Sequence, residues 1–132
     1  SLNLLLPTEA NTSSRSDKLT ALWLSPDEWM IYSNETINSE SNEYETENLL
    51  NKNISKTNLG AVTDVTDQFV LINIKGDKIF DLFETGSPFN FNDFRKKNGS
   101  ITQTILAKID VIIPINKSDN PQVAKSVSII LP

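Results

Sequence analysis

The chain has 132 residues, no cysteine, no histidine and a net charge of -5. That length suits one domain able to bury a core without covalent staples. The composition excludes disulfides, thiolate metal sites, cysteine nucleophiles and any Ser-His-Asp triad built from this chain alone, and its acidity opposes binding to phosphate backbones or anionic membrane surfaces.

In chain order, Leu2 to Leu6 is apolar but too short for a signal-peptide core or a membrane span. Residues 7–19 read as loop, being rich in Pro, Thr, Asn, Ser and Asp. Leu19 to Ser25, "LTALWLS", is a strand. Ser25 and Pro26 carry turn chemistry, and "WMIYS" returns as a second strand, making a hairpin. Residues 34–56 are polar, with Leu49, Leu50 and Ile54 on a helical stripe, so a helix is predicted over Tyr44 to Asn53. Val62 and Val65 suggest a strand, and Asp67-Gln68 a tight turn. "FVLINI", Phe69 to Ile74, is β-rich and reads as a central or near-central strand.

"GDKIFDLFETG" reads as the clearest helix. Ile79, Phe80, Leu82 and Phe83 fall on one apolar face, Asp77 is placed to cap the start, and Gly86 to end it through a left-handed backbone. Phe89, Phe91 and Phe94 then tuck a loop onto the core. Three β runs close the chain: "SITQTILAKI", "DVIIPIN" and "KSVSIIL". Pro114 lacks an N–H, which argues that its strand is an edge or is bulged there. The order β-β-α-β-β-α-β-β-β describes an α+β domain: a mostly antiparallel sheet with helices on one face and a split β-α-β element in the middle. The whole of 1–132 reads as a single domain, without internal repeats. Ser1 suggests a trimmed start, and the apolar end "SIILP" a polypeptide that continues beyond Pro132.

Few residues suggest chemistry. Glu40, Glu43, Glu45 and Glu47 read as a solvated helix start, with a metal cluster as the sharper alternative. Asp64 and Asp67 read as turn caps; the alternative is a carboxylate pair for acid-base work. Asp27 and Glu28 lie in the hairpin turn between Trp23 and Trp29, where carboxylates stay solvated. Gly76 alone makes no phosphate cradle. Arg95, Lys96 and Lys97 make a basic surface or a contact for an acidic partner, too small for nucleic acid. No catalytic, cofactor-binding or metal-binding residue is assigned.

Three blocks carry a family resemblance. "ALWLSPDEWMIY" resembles the motif "LWLGPDEWLL" of the gamma subunit of heterotetrameric sarcosine oxidase. "VTDVTDQFVLINIKGDKIFDLFETGSPFNF" is similar to that family's "VDVSDGRTVLRLSGPRARDVLAKGCPLDL", and "QTILAKIDVII" to its "QTLLARVPVLL". The blocks stand in family order and cover roughly residues 20–113. Ser25 replaces the turn glycine, Asp67-Gln68 replaces Asp-Gly, Ser87 stands where cysteine is frequent, and the aromatic-rich helix that ends the family is missing. The missing helix bears on the completeness of a partner surface.

The resemblance implies a fold like the folate-binding domain of aminomethyltransferases. It also implies a noncatalytic, cytoplasmic subunit that packs against alpha, with beta and delta completing the heterotetramer. That complex oxidatively demethylates sarcosine to glycine, reduces oxygen to hydrogen peroxide, and releases the methyl carbon as formaldehyde or onto tetrahydrofolate. FAD, FMN and NAD are then expected in alpha and beta, zinc in delta, and no cofactor in this chain. Neither nucleic acid nor a membrane is an expected partner. Two competing readings are a stand-alone folate-binding or aminomethyltransferase-like protein, for which Asp64 would face the pterin, and a plain interaction module. As a subunit, the isolated chain is expected to expose an apolar patch near its final strands.

Overall fold

The computed structural model describes residues 4–34, 45–54, 56, 60–94, 97, 99–115 and 126–132, with the side chains of 45 and 46 excepted. Strands β1 (Ser13–Arg15), β2 (Leu19–Ser25) and β3 (Glu28–Ser33) form one antiparallel sheet in that order. Helix α1 (Glu45–Ile54), a short 3-10 turn (Thr66–Gln68), β4 (Val70–Lys75), α2 (Ile79–Glu84), β5 (Ile101–Leu106), β6 (Ile109–Pro114) and β7 (Ser126–Leu131) follow. The last four strands build a second antiparallel sheet in the order β4-β7-β6-β5. The α+β class read from the sequence is the class observed. Among the described residues, no helix is long and apolar enough to cross a membrane.

The two sheets are stitched where β1 begins. Thr12 bridges Ser100, Ser13 donates its N–H to the Gly99 carbonyl at 2.7 Å, and Ile101 donates to Asn11 at 2.9 Å. The Gln103 side chain adds a bond from Nε2 to the Leu24 carbonyl, 2.8 Å. The segment over residues 7–19, expected as loop, therefore contains a three-residue strand. Its polar "SSR" has no apolar alternation, and pairing with β2 rather than burial makes it a strand.

The four-stranded sheet is covered on both faces. Val111, Ile113 and Ile115 of the β6 run and Val127 and Ile129 of β7 meet Ile79, Phe80 and Phe83 of α2, together with Phe91 and Phe94. On the opposite face Ile101 and Ile130 meet Leu22 of β2, with Leu24, Met30, Tyr32, Phe69 and Ile112 packed around them. Alternate residues of β7 thus serve two cores, which is why the run from Val127 to Ile130 is buried without a break. Fully burying each aliphatic or aromatic side chain here contributes about 1.5–3 kcal/mol.

The phenylalanine loop packs as its composition suggests. Phe91 lies 5.8 Å from Phe80, Phe83 and Phe94 and 4.8 Å from Phe89, measured between ring centroids, in tilted or edge-to-face pairs.

Several expectations are corrected. No strand forms over residues 61–65, which run into the 3-10 turn. Helix α2 is shorter than the pattern suggested, and Leu82 is 63% exposed, leaving Ile79, Phe80 and Phe83 as the buried face. The residue capping α2 is Lys78, with no side-chain cap, rather than Asp77. Gly86 does not take a left-handed backbone; the helix ends at Thr85 in right-handed conformation. Space around residue 86 does not demand glycine, since a Cβ there would meet its neighbours at ordinary van der Waals contact. An added Cβ would sit 3.4 Å from the Ala107 nitrogen and from Leu106 Cδ1, and the Gly86 carbonyl accepts the Ala107 N–H at 2.9 Å.

The run "SITQTILAKI" is split. Ala107 and Lys108, both at positive φ, form a two-residue turn between β5 and β6. Pro114 is in neither an edge strand nor a bulge: β6 lies between β5 and β7, and its two pairs with β7, Ile112 with Ile130 and Ile115 with Val127, keep one register. Ile115 donates its N–H to Ser100 of the β5 side, so by alternation Pro114 turns its missing N–H toward β7. The proline sits at the last position of its strand, where one lost bond is tolerated.

The middle of the chain is not a split β-α-β element either. β4 and β5, joined through α2, lie at opposite edges with two strands between them, and three antiparallel steps make them run in opposite directions. Among the described residues, α2 and the phenylalanine loop cover one face of this sheet and the first sheet covers the other. β4, expected to be central or near-central, is an edge strand.

Candidate functional site

The hairpin of β2 and β3 places Trp23 directly opposite Trp29. A register shift between Trp23 and Ser25 marks a bulge, and Pro26-Asp27 make the turn. Trp29 donates its Nε1–H to the Pro7 carbonyl at 2.7 Å, and both indoles are half-buried. Asp27 accepts a bond from the Ser25 hydroxyl at 2.9 Å, and Asp27 and Glu28 are exposed. The indoles do not enclose these carboxylates, because the turn projects past the paired rings into solvent. The arrangement is a hairpin with an acidic, solvated tip.

Asp64 and Asp67 resolve similarly. Asp64 Oδ1 accepts the Thr66 backbone N–H at 2.9 Å and the Thr66 hydroxyl at 2.6 Å. These bonds stabilise the carboxylate and hold its pKa below the ordinary 3.8. The group is fully exposed and stays ionised near neutral pH, so it is neither a raised-pKa general acid nor walled in toward a pterin. Asp67 lies exposed in the adjoining 3-10 turn. Asp64 initiates the turn, and Asp67 lies within it.

Of the acidic run, Glu40 and Glu43 and the side chain of Glu45 lie outside the described residues; Glu47 is half-buried on α1. Among the described residues, no group of three or more acidic side chains is placed to hold a metal ion. Arg95 and Lys96 likewise lie outside them, and Lys97 is exposed. Ser87, where the resembling family often has cysteine, is tied into structure: its hydroxyl lies 3.2 Å from that of Thr104 and accepts the Phe89 N–H at 3.2 Å.

Tyr32 is a titratable group the sequence reading did not single out. Burial raises its pKa above 10.0, outweighing a hydrogen bond with Thr20 and the Arg15 charge, which both lower it. It stays protonated near neutral pH and packs on the second core. Beside it, Thr20 donates to Asn34, whose Nδ2 donates to the Ser16 carbonyl at 2.9 Å. This polar network ties the end of β3 to the turn before β2.

An apolar patch was expected near the final strands; the exposed apolar residues of the neighbouring β4 are divided between its two faces. β7 itself is interior, while on its neighbour β4 Val70, Leu71 and Ile72 are 57%, 39% and 44% exposed. Sequence reasoning missed this surface because a strongly β-forming segment looks the same at an edge as at the centre of a sheet. The available signal was Lys75 at the strand's end, a residue type common on exposed edges.

Of the described groups that looked chemical, Asp27 and Asp64 make local turn bonds. Comparison with known proteins adds the decisive observation. The family model for the sarcosine oxidase gamma subunit family matches residues 1–128. Neither the curated proteins nor the solved structures give a match. With nearly the whole length matched, the chain belongs to the sarcosine oxidase gamma subunit family.

Proposed function

We propose that this chain is a noncatalytic gamma subunit that supports assembly of a heterotetrameric sarcosine oxidase. The observation that carries the proposal is the family match over residues 1–128. The chemistry assigned to the complex is oxidative demethylation of sarcosine to glycine with formation of hydrogen peroxide, the methyl carbon leaving as formaldehyde or as methylenetetrahydrofolate. In this reading FAD, FMN, NAD and zinc reside in the partner subunits, alpha is the direct contact, and the 1–132 segment acts as one domain in the cytoplasm. The absence of cysteine from the chain fits a reducing compartment. The exposed carboxylate Asp64, held below its ordinary pKa, supports a role outside the chemistry, since acid-base work near neutral pH calls for groups tuned toward that pH.

The test is gentle affinity purification of the tagged chain from its native source. The proposal expects larger flavin-bearing subunits in fixed ratio with it. Recovery of the chain alone under those conditions contradicts it.

A further inference from the structure

The hydrogen-bond ladder shows which groups of β4 face outward. In β6, Ile115 donates toward β5, so Ile112 and Pro114 face β7. Their partners in β7, Ile130 and Ser128 in that register, face β6, and Val127, Ile129 and Leu131 face β4. These three oppose Ile74, Ile72 and Val70. Leu71, Asn73 and Lys75 therefore aim their N–H and C=O groups away from the sheet. Among the described residues, none of those main-chain groups has a backbone partner.

Beside these groups the edge is apolar on both faces: Val70 and Ile72 are exposed on one, Leu71 on the other. Alternating donors and acceptors along an extended strand are matched by another extended backbone, and the flanking side chains select what that backbone carries. Lys75 is the only charge on β4. A second copy of this chain fits poorly, because antiparallel self-pairing about Asn73 sets each ammonium against Leu71 of the other copy, and two chains of net charge -5 repel. A foreign segment answers the same edge with an acidic residue opposite Lys75.

We propose that β4 receives an extended segment of a partner subunit as an added strand, with apolar residues beside Val70, Leu71 and Ile72 and a carboxylate facing Lys75. This rests on the subunit reading above and names the surface through which it operates.

The test is amide hydrogen exchange on the chain alone and in the complex co-expressed with the sarcosine oxidase alpha, beta and delta subunits. The amides of Leu71, Asn73 and Lys75 are expected to slow by about 100-fold or more on assembly, passing from an open edge to a closed ladder. Lys75→Glu is expected to weaken assembly by about tenfold, through like-charge juxtaposition. A complex in which the β4 amides exchange as in the free chain overturns this inference and leaves the subunit reading standing. Failure to form any complex overturns both. A concentration-dependent dimer of the isolated chain that protects the same amides assigns the edge to a second copy and also overturns the proposal.

Discussion

Phe91 is the strongest single test of the packing. Its side chain is fully buried and meets Phe80, Phe83, Phe89 and Phe94, with centroids 4.8–5.8 Å away. Truncation by Phe91→Ala removes a transfer contribution of about 3 kcal/mol. The four surrounding rings and the sheet behind them relax only in part, and a residual cavity of roughly 50 Å³ adds about 1 kcal/mol. The expected loss is about 3–5 kcal/mol, a large share of the roughly 5–15 kcal/mol that stabilises a typical domain. At an unfolding entropy of about 2.1 cal/mol/K per residue, the chain's Tm should fall by about 10–18 °C. Urea denaturation should show a lower midpoint with an unchanged slope. Leu82→Ala is the control. Leu82 is 63% exposed on α2, so its removal should change stability by no more than about 0.5 kcal/mol. A loss below about 1.5 kcal/mol for Phe91→Ala, or equal effects for the two variants, would refute the aromatic core described here.

Three further outcomes are expected. An NMR titration of Asp64 should place its pKa below 3.8, and Thr66→Ala should return it toward the ordinary value. Because the folded pKa is depressed, the stability this group contributes is present above the unfolded pKa and is lost as pH falls through the folded one, so the variant should flatten stability against pH below about 4. Tyr32 should ionise above pH 10.0 by ultraviolet absorbance; its raised folded pKa contributes stability that is complete below the unfolded value and lost as pH rises through the folded value, a loss that Tyr32→Phe should abolish. Replacing the positive-φ turn residues, Ala107→Asn with Lys108→Gly, should raise stability by about 1 kcal/mol in thermal or urea unfolding, since both new residues tolerate that backbone.

What could be read from the sequence was mostly local. The apolar runs of β2 and β7, the helical stripe of α1 and the phenylalanine cluster announce themselves through spacing. Strand neighbours do not. Whether β4 is an edge depends on where β7, more than fifty residues later, lies down beside it. Pro114 argued for an edge because its N–H is missing, yet one lost bond at a strand's end is compatible with an interior place. β1 has no apolar signature, and only its bonds to β2 and to the start of β5 define it. The carboxylates of the candidate site were legible as turn residues, because Asp and Ser beside Pro or Thr make local bonds whatever the tertiary context. The apolar edge left Lys75 as its one sequence signal, since exposure is set by the absence of a neighbour.

The central claim is that the chain takes part in sarcosine oxidation through its partners. Sarcosine-dependent hydrogen peroxide formation should therefore be measured for the isolated chain supplied with flavin, and for the complex co-expressed with and without it. The account predicts no peroxide from the isolated chain, turnover by the complete complex, and loss of assembled, active enzyme when the chain is left out. Peroxide formed by the chain alone, or a complex that assembles and works equally well without it, would contradict the account.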